Sequence, residues 1–183
     1  MSNVRRLPLL LVLLSTFAAC DALNDETDVS GLIASQFVSL SLAPEGIAGG
    51  LLVSEKAVNA DTFLAQLREQ LQTIDSVSLL RVKVEAMPTG AVDVAAWSDV
   101  YQGELLVVLV PQSGAPIQVA QVTVPESGLA ILSATVTTTQ GALDKAPDIA
   151  AGRFSVRLTG GTTRAASDTF ALTARVELEF LAF

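Results

Sequence analysis

The sequence predicts a mainly all-β protein, an antiparallel two-sheet β-sandwich with one or two short helices. Three observations carry that prediction. Apolar and polar residues alternate with period two through much of the chain after residue 31, turn-forming residues recur every 8 to 14 positions, and one segment alone keeps a sustained helical spacing. Alternation of this kind marks strands with one face on a core and the other in water. Regular turn signals between many short strands fit two packed antiparallel sheets. A closed up-and-down barrel shows the same alternation and stands as the rival arrangement.

The first strand places Leu32, Ala34, Val38, Leu40 and Leu42 on one face, with Ser35, Ser39 and Ser41 opposite. The helix follows. Phe63, Leu67, Leu71 and Ile74 share one side, Arg68, Glu69 and Gln72 the other, and Asp61 is placed to cap its start. A second strand turns Leu80, Val82, Val84 and Ala86 inward and Arg81, Lys83 and Glu85 to water. Val110-Pro111-Gln112-Ser113-Gly114 recurs fourteen residues later as Val124-Pro125-Glu126-Ser127-Gly128. Proline presets the first turn dihedral and glycine supplies a left-handed residue, so the two echoes predict a three-stranded meander over 104–110, 117–124 and 129–138. A short helical turn is expected within 143–151, interrupted by Pro147. Two strands close the chain. Phe154, Val156 and Leu158 alternate with Ser155, Arg157 and Thr159; Phe170 to Ala182 places every even residue inward. Gly160-Gly161 and the polar run to Asp168 are expected to join them as a hairpin.

Composition bounds the chemistry. The chain has 183 residues, no histidine and one cysteine. Those absences remove Ser-His-Asp and Cys-His nucleophiles, zinc fingers, imidazole-held haem and disulfide frameworks. All 19 acidic residues but only 9 of the 11 basic ones follow residue 19, so residues 20–183 carry a side-chain charge of −10. A chain so acidic is ill suited to nucleic acid, whose phosphates require clustered Lys and Arg.

The beginning of the chain has three parts: Arg5 and Arg6, an apolar run over 7–14, and mostly small residues over 15–19. That order is the pattern of a secretory signal. Residues 7–19 are too few to span a bilayer, which takes about 20. Phe17-Ala18-Ala19-Cys20 then resembles the lipobox of bacterial lipoproteins, in which an aliphatic residue and two small ones precede an invariant cysteine. Ala18, Ala19 and Cys20 match; Phe17 stands where that pattern usually has Leu. The resemblance covers the leader alone. It implies that residues 1–19 are a removed signal peptide, that the Cys20 sulfur receives a diacylglycerol, and that the new amine is open to acylation. Two long acyl chains exceed the two-signal threshold for stable anchoring. Ordinary signal-peptidase cleavage after Ala22, with Cys20 uninvolved, is the plain alternative. Residues 20–31, with Asp21, Asp25, Glu26 and Asp28, read as the lipidated cysteine and an acidic tether, and 32–183 as a single sandwich domain. With only six Phe, one Trp and one Tyr after residue 19, the aromatic girdles of an outer-membrane barrel are hard to supply.

Few residues suggest a site. Trp97, Asp99 and Tyr101 cluster, the two rings four positions apart on one side of a helical turn. They suit a ligand or partner platform, but the favoured reading is a corner plug whose rings fill the end of the fold, since buried aromatics commonly serve as packing. Glu177 and Glu179 share a strand face, as the paired carboxylates of a glycoside hydrolase could, but Arg175 shares it too and Arg153 and Arg157 are expected to pair across it. That describes a solvated sheet face. Lys56, Lys83 and Lys145 sit in no nucleophile motif, and Gly49-Gly50 and Gly160-Gly161 lack the residues of a phosphate loop. The expectation is therefore no catalytic residue, no metal and no cofactor: a non-enzymatic interaction or structural module of the bacterial envelope. Its membrane partner is lipid, through acylated Cys20, and it faces the periplasm or the exterior, where other envelope proteins are candidate partners. A carrier or sensor of an apolar ligand between the sheets, and a histidine-free carboxylate hydrolase, are the alternatives.

Overall fold

The computed structural model describes residues 32–68, 74–88, 96–126, 131–137, 143 and 147–182, and residues 31–183 form one compact unit. Among the described residues nine strands appear in chain order: β1 (Leu32–Leu42), β2 (Ile47–Ala48), β3 (Leu51–Ala57), β4 (Val77–Pro88), β5 (Gln102–Pro111), β6 (Ile117–Thr123), β7 (Ile131–Val136), β8 (Phe154–Gly161) and β9 (Leu172–Ala182). Among the described residues, two short helical segments, α1 (Ala65–Arg68) and α2 (Pro147–Ala150), and two 3-10 turns, at Pro44–Gly46 and Trp97–Asp99, lie between them. The mainly all-β expectation holds.

The strands make one antiparallel sheet in the order β1-β9-β4-β7-β6-β5-β8-β3-β2, curled into a half-barrel. The sequence suggested two separate sheets. What joins them is the predicted meander, β5-β6-β7, whose last step pairs Ala120 with Val136 and Gln121 with Thr135. Consecutive strands usually lie side by side, and β7, paired with both β6 and β4, carries the ladder from one half of the sheet to the other. At the far side the Ser54 hydroxyl donates to the Ser41 carbonyl across 2.6 Å, drawing β3 toward β1. The ladder itself stops at β1 and β2, which are the sheet's edges.

Alternation reads the burial well. In β9 every even residue from Leu172 to Ala182 is buried and every odd one half-buried; β8 repeats the pattern from Phe154 to Gly160. The half-barrel is filled by Leu40, Leu42, Leu52, Leu105, Leu109, Leu158, Phe180 and the two rings of the Trp97 turn. Phe63 is fully buried and meets Phe154 and Phe180 edge-on at 5.3 and 5.6 Å, within the range of favourable aromatic pairs.

Three local expectations are corrected. In β4, Leu79 pairs with Phe180 and Arg81 with Glu179, leaving Leu80 as the extra residue of a bulge. Leu79 is therefore inward and Leu80 is 42% exposed, whereas an unbroken period of two turns Leu80 inward. The last two strands do not form a hairpin: β8 pairs with β3 and β5, β9 with β1 and β4. Their connection is tied instead to other loops, with Thr162 N–H donating to Gly50 and Arg164 Nε to the Asp99 carbonyl. The first helix starts later than Asp61. Asn59 Oδ1 accepts the Asp61 N–H, and Leu64 takes a left-handed φ of 48° that a helix cannot include, so α1 begins at Ala65. Phe63 and Leu67 are buried as expected; Leu71 lies outside the described residues.

Candidate functional site

The turn holding Trp97, Asp99 and Tyr101 is built by its own backbone. Ala96 N–H donates to Asp99 Oδ2 at 2.9 Å, and the Val100 and Tyr101 N–H groups both reach the Trp97 carbonyl, at 3.1 and 2.8 Å. That closes a 3-10 turn and fixes both rings on one side, with centroids 6.1 Å apart. The rings point into the half-barrel: Trp97 is 0% and Tyr101 1% exposed. Tyr101 packs directly over Gly160 of β8, where a Cβ would stand 3.0 Å from the ring and 2.8 Å from the Glu104 carbonyl. Arg164 and Thr162 then close over the outside, donating to the Asp99 and Val100 carbonyls. So the three residues do converge, with ring faces turned to the core and the Asp99 carboxylate engaged by backbone. Among the described residues the Tyr101 hydroxyl has no hydrogen-bond partner, and burial pushes its pKa well above the usual phenol value.

Glu177 and Glu179 sit on the outer face, and the β4–β9 register decides their partners. Glu179 lies opposite Arg81, Glu177 opposite Lys83 and Arg175 opposite Glu85. Arg81 bonds Glu179 at 2.7 Å and lies 4.0 Å from Glu177; Lys83–Glu177 is 3.9 Å and Arg175–Glu85 4.0 Å. The pairs expected from Arg153 and Arg157 are different ones. Arg157 bonds Glu55 of β3 and Arg153 bonds Asp148, because both lie in the other half of the sheet. This is a solvated cross-strand lattice, in which each pair contributes little to stability.

No family model and no curated protein matches this chain. Among solved structures, a chain titled Desmodium yellow mottle tymovirus aligns over 83% of this chain and 87% of its own, at 11% identity and a TM-score of 0.30. A likeness that slight carries no argument about fold or role.

Two features were not singled out in the sequence. The first is a clamp at Asp148, in α2. Its carboxylate accepts from Arg153 Nε at 2.9 Å and from the Ser113 N–H at 2.8 Å, holding its pKa below the usual carboxylate value. It joins the β5–β6 turn to the corner before β8. Gly152 ends α2 with a φ of 73°, its N–H bonding Ile149 and that of Arg153 bonding Asp148, the two bonds of a Schellman motif.

The second feature is the free edge of β1. Eleven residues long, β1 pairs with β9 and, among the described residues, with no strand on its other side. It contains neither charge nor proline, and Ile33 and Phe37 are 60% and 46% exposed. Beyond its edge runs a shallow groove bordered by Ala34, Gln36 and Val38 on one side and by Lys56, Asn59, Thr62 and Leu64 on the other. The uncharged run was legible in the sequence; that the strand is an edge was not. Cys20 lies outside the described residues. Among those residues no group of three or more Cys, Asp or Glu could hold a metal ion, and no helix is long and apolar enough to cross a bilayer.

Proposed function

We propose that this chain is a non-enzymatic interaction module of the bacterial envelope. It is anchored by an acylated Cys20 and takes up an extended segment of another envelope protein along the edge of β1. The two halves of the curled sheet serve as the layers of a sandwich-like body that holds this edge in place. One observation carries the reading. β1 presents a long edge with no charge, proline or bulge, although exposed edges are commonly guarded by one of these against pairing with another chain. An extended segment can add to such an edge through main-chain hydrogen bonds, with alternate side chains in the neighbouring groove. Anchoring confines the module near the membrane and raises its effective concentration toward other envelope components.

The carrier reading is less favoured, because large side chains occupy the middle of the half-barrel. The hydrolase reading is weakened by the ion pairs that already engage Glu177 and Glu179. Site-specific photocrosslinking in intact cells tests the proposal. A benzophenone side chain in place of Phe37 is expected to yield a discrete adduct with an envelope protein, and one in place of Ser155 on the opposite half none. No adduct from position 37, or equal adducts from both positions, would count against strand capture.

A further inference from the structure

The outer face of the β1-β9-β4 region is divided along the strands. Its middle is the charge lattice of Arg81, Lys83, Glu85, Arg175, Glu177 and Glu179. Its beginning, where Leu32 and Val77 both stand opposite Ala182, is apolar. Ile33 pairs with Leu181, which pairs in turn with Ser78, and the β4 bulge turns Leu80 out beside them. Ile33 is 60% exposed, Leu80 42%, and Leu181 is half-buried. A bulge at this point converts a side chain that the strand period places in the core into one presented to the outside. Strand spacing puts β1 and β4 about 10 Å apart, so the three side chains form a continuous rim.

The rim lies at the end of the face where the chain coming from Cys20 enters the sheet. Ile33 follows Cys20 by thirteen residues, a reach of at most about 45 Å when fully extended. The opposite end of the same face, where exposed Met87 stands opposite Thr173, lies eight residues along β9 from Leu181, about 27 Å away. On the reading that Cys20 is acylated, we infer that the Ile33–Leu80–Leu181 rim rests on the bilayer surface, seating the sheet end-on with the charge lattice above the lipid. Because residues 20–183 carry a charge of −10, the surface it suits is a zwitterionic one, entered by apolar side chains.

The test uses the full acylated protein in phosphatidylcholine vesicles. Cys20 is the only cysteine and its sulfur is blocked by the lipid, so Ile33→Cys, Leu80→Cys and Met87→Cys each offer a single thiol for an environment-sensitive fluorophore. All three positions are exposed, which keeps the fold out of the comparison. Doxyl-labelled phosphatidylcholine is expected to quench the probes at 33 and 80 at least threefold more than the probe at 87. Equal quenching in protein that floats with the vesicles overturns the inference and leaves the anchor standing; a second copy of the chain covering the rim would give this result. Protein that does not float overturns both.

Discussion

Replacing Gly152 by alanine probes how the helical corner is locked to the core. Gly152 has a φ of 73°, which costs a residue with a Cβ about 1–2 kcal/mol. The added Cβ would also stand 2.6 Å from the Phe63 Cβ and 2.9 Å from two atoms of its ring. Phe63 has nowhere to retreat, since it is fully buried between Phe154 and Phe180. Overpacking of this kind costs about 1–3 kcal/mol, so the total loss is about 2–5 kcal/mol. Gly103 provides the control. Its φ is 71°, yet a Cβ there meets nothing within 4 Å, so Gly103→Ala carries the backbone cost alone. Urea unfolding followed by the emission of Trp97, the only tryptophan and fully buried, measures both variants. Gly152→Ala is expected to lose about 1–3 kcal/mol more than Gly103→Ala. Losses equal within about 0.5 kcal/mol would refute the contact with Phe63 as the cause.

Three further outcomes follow from the same contacts. Tyr101→Phe removes a buried hydroxyl with no partner among the described residues and is expected to leave stability unchanged or raise it by about 1 kcal/mol; a loss above about 1 kcal/mol would show that the hydroxyl is bonded. Asp148→Asn tests the clamp by pH. The depressed carboxyl pKa contributes stability above the unfolded value of about 3.9 and loses it as pH falls through the folded value. Wild type should therefore have the higher urea midpoint at pH 7, the gap closing below about pH 4, and no gap at pH 7 would contradict the clamp. Arg81→Ala should cost less than about 1 kcal/mol and still less in 1 M NaCl, because the guanidinium is half in water. A larger, salt-insensitive loss would mean that the lattice holds the sheet together.

Much of this fold was legible because period-two alternation reports burial directly. The inward rows of β8 and β9 and the meander follow from local pattern, whereas Pro147, read in the sequence as interrupting a helical turn, stands at the first position of α2. What alternation leaves open is which strand lies beside which. Arg157 was recognisable as outward but not as the neighbour of Glu55, and β8 and β9 were adjacent in sequence without being adjacent in the sheet. The bulge at Leu80 has the same origin, since an extra residue reverses facing without leaving a mark in composition. The candidate site divides similarly. The Trp97–Tyr101 turn could be read from spacing, but not the packing of Tyr101 over Gly160, a residue that chain order places far away. The clamp at Asp148 joins segments 35 residues apart and has no local signature.

The proposed module is fixed to a membrane through Cys20, with the edge of β1 open to a partner. The most direct test is the mass of the N-terminal peptide from protein purified out of native membranes. The mature chain is expected to begin at Cys20 and to carry the added mass of a diacylglyceryl group on its sulfur. A peptide beginning elsewhere, or an unmodified Cys20 thiol, would contradict it.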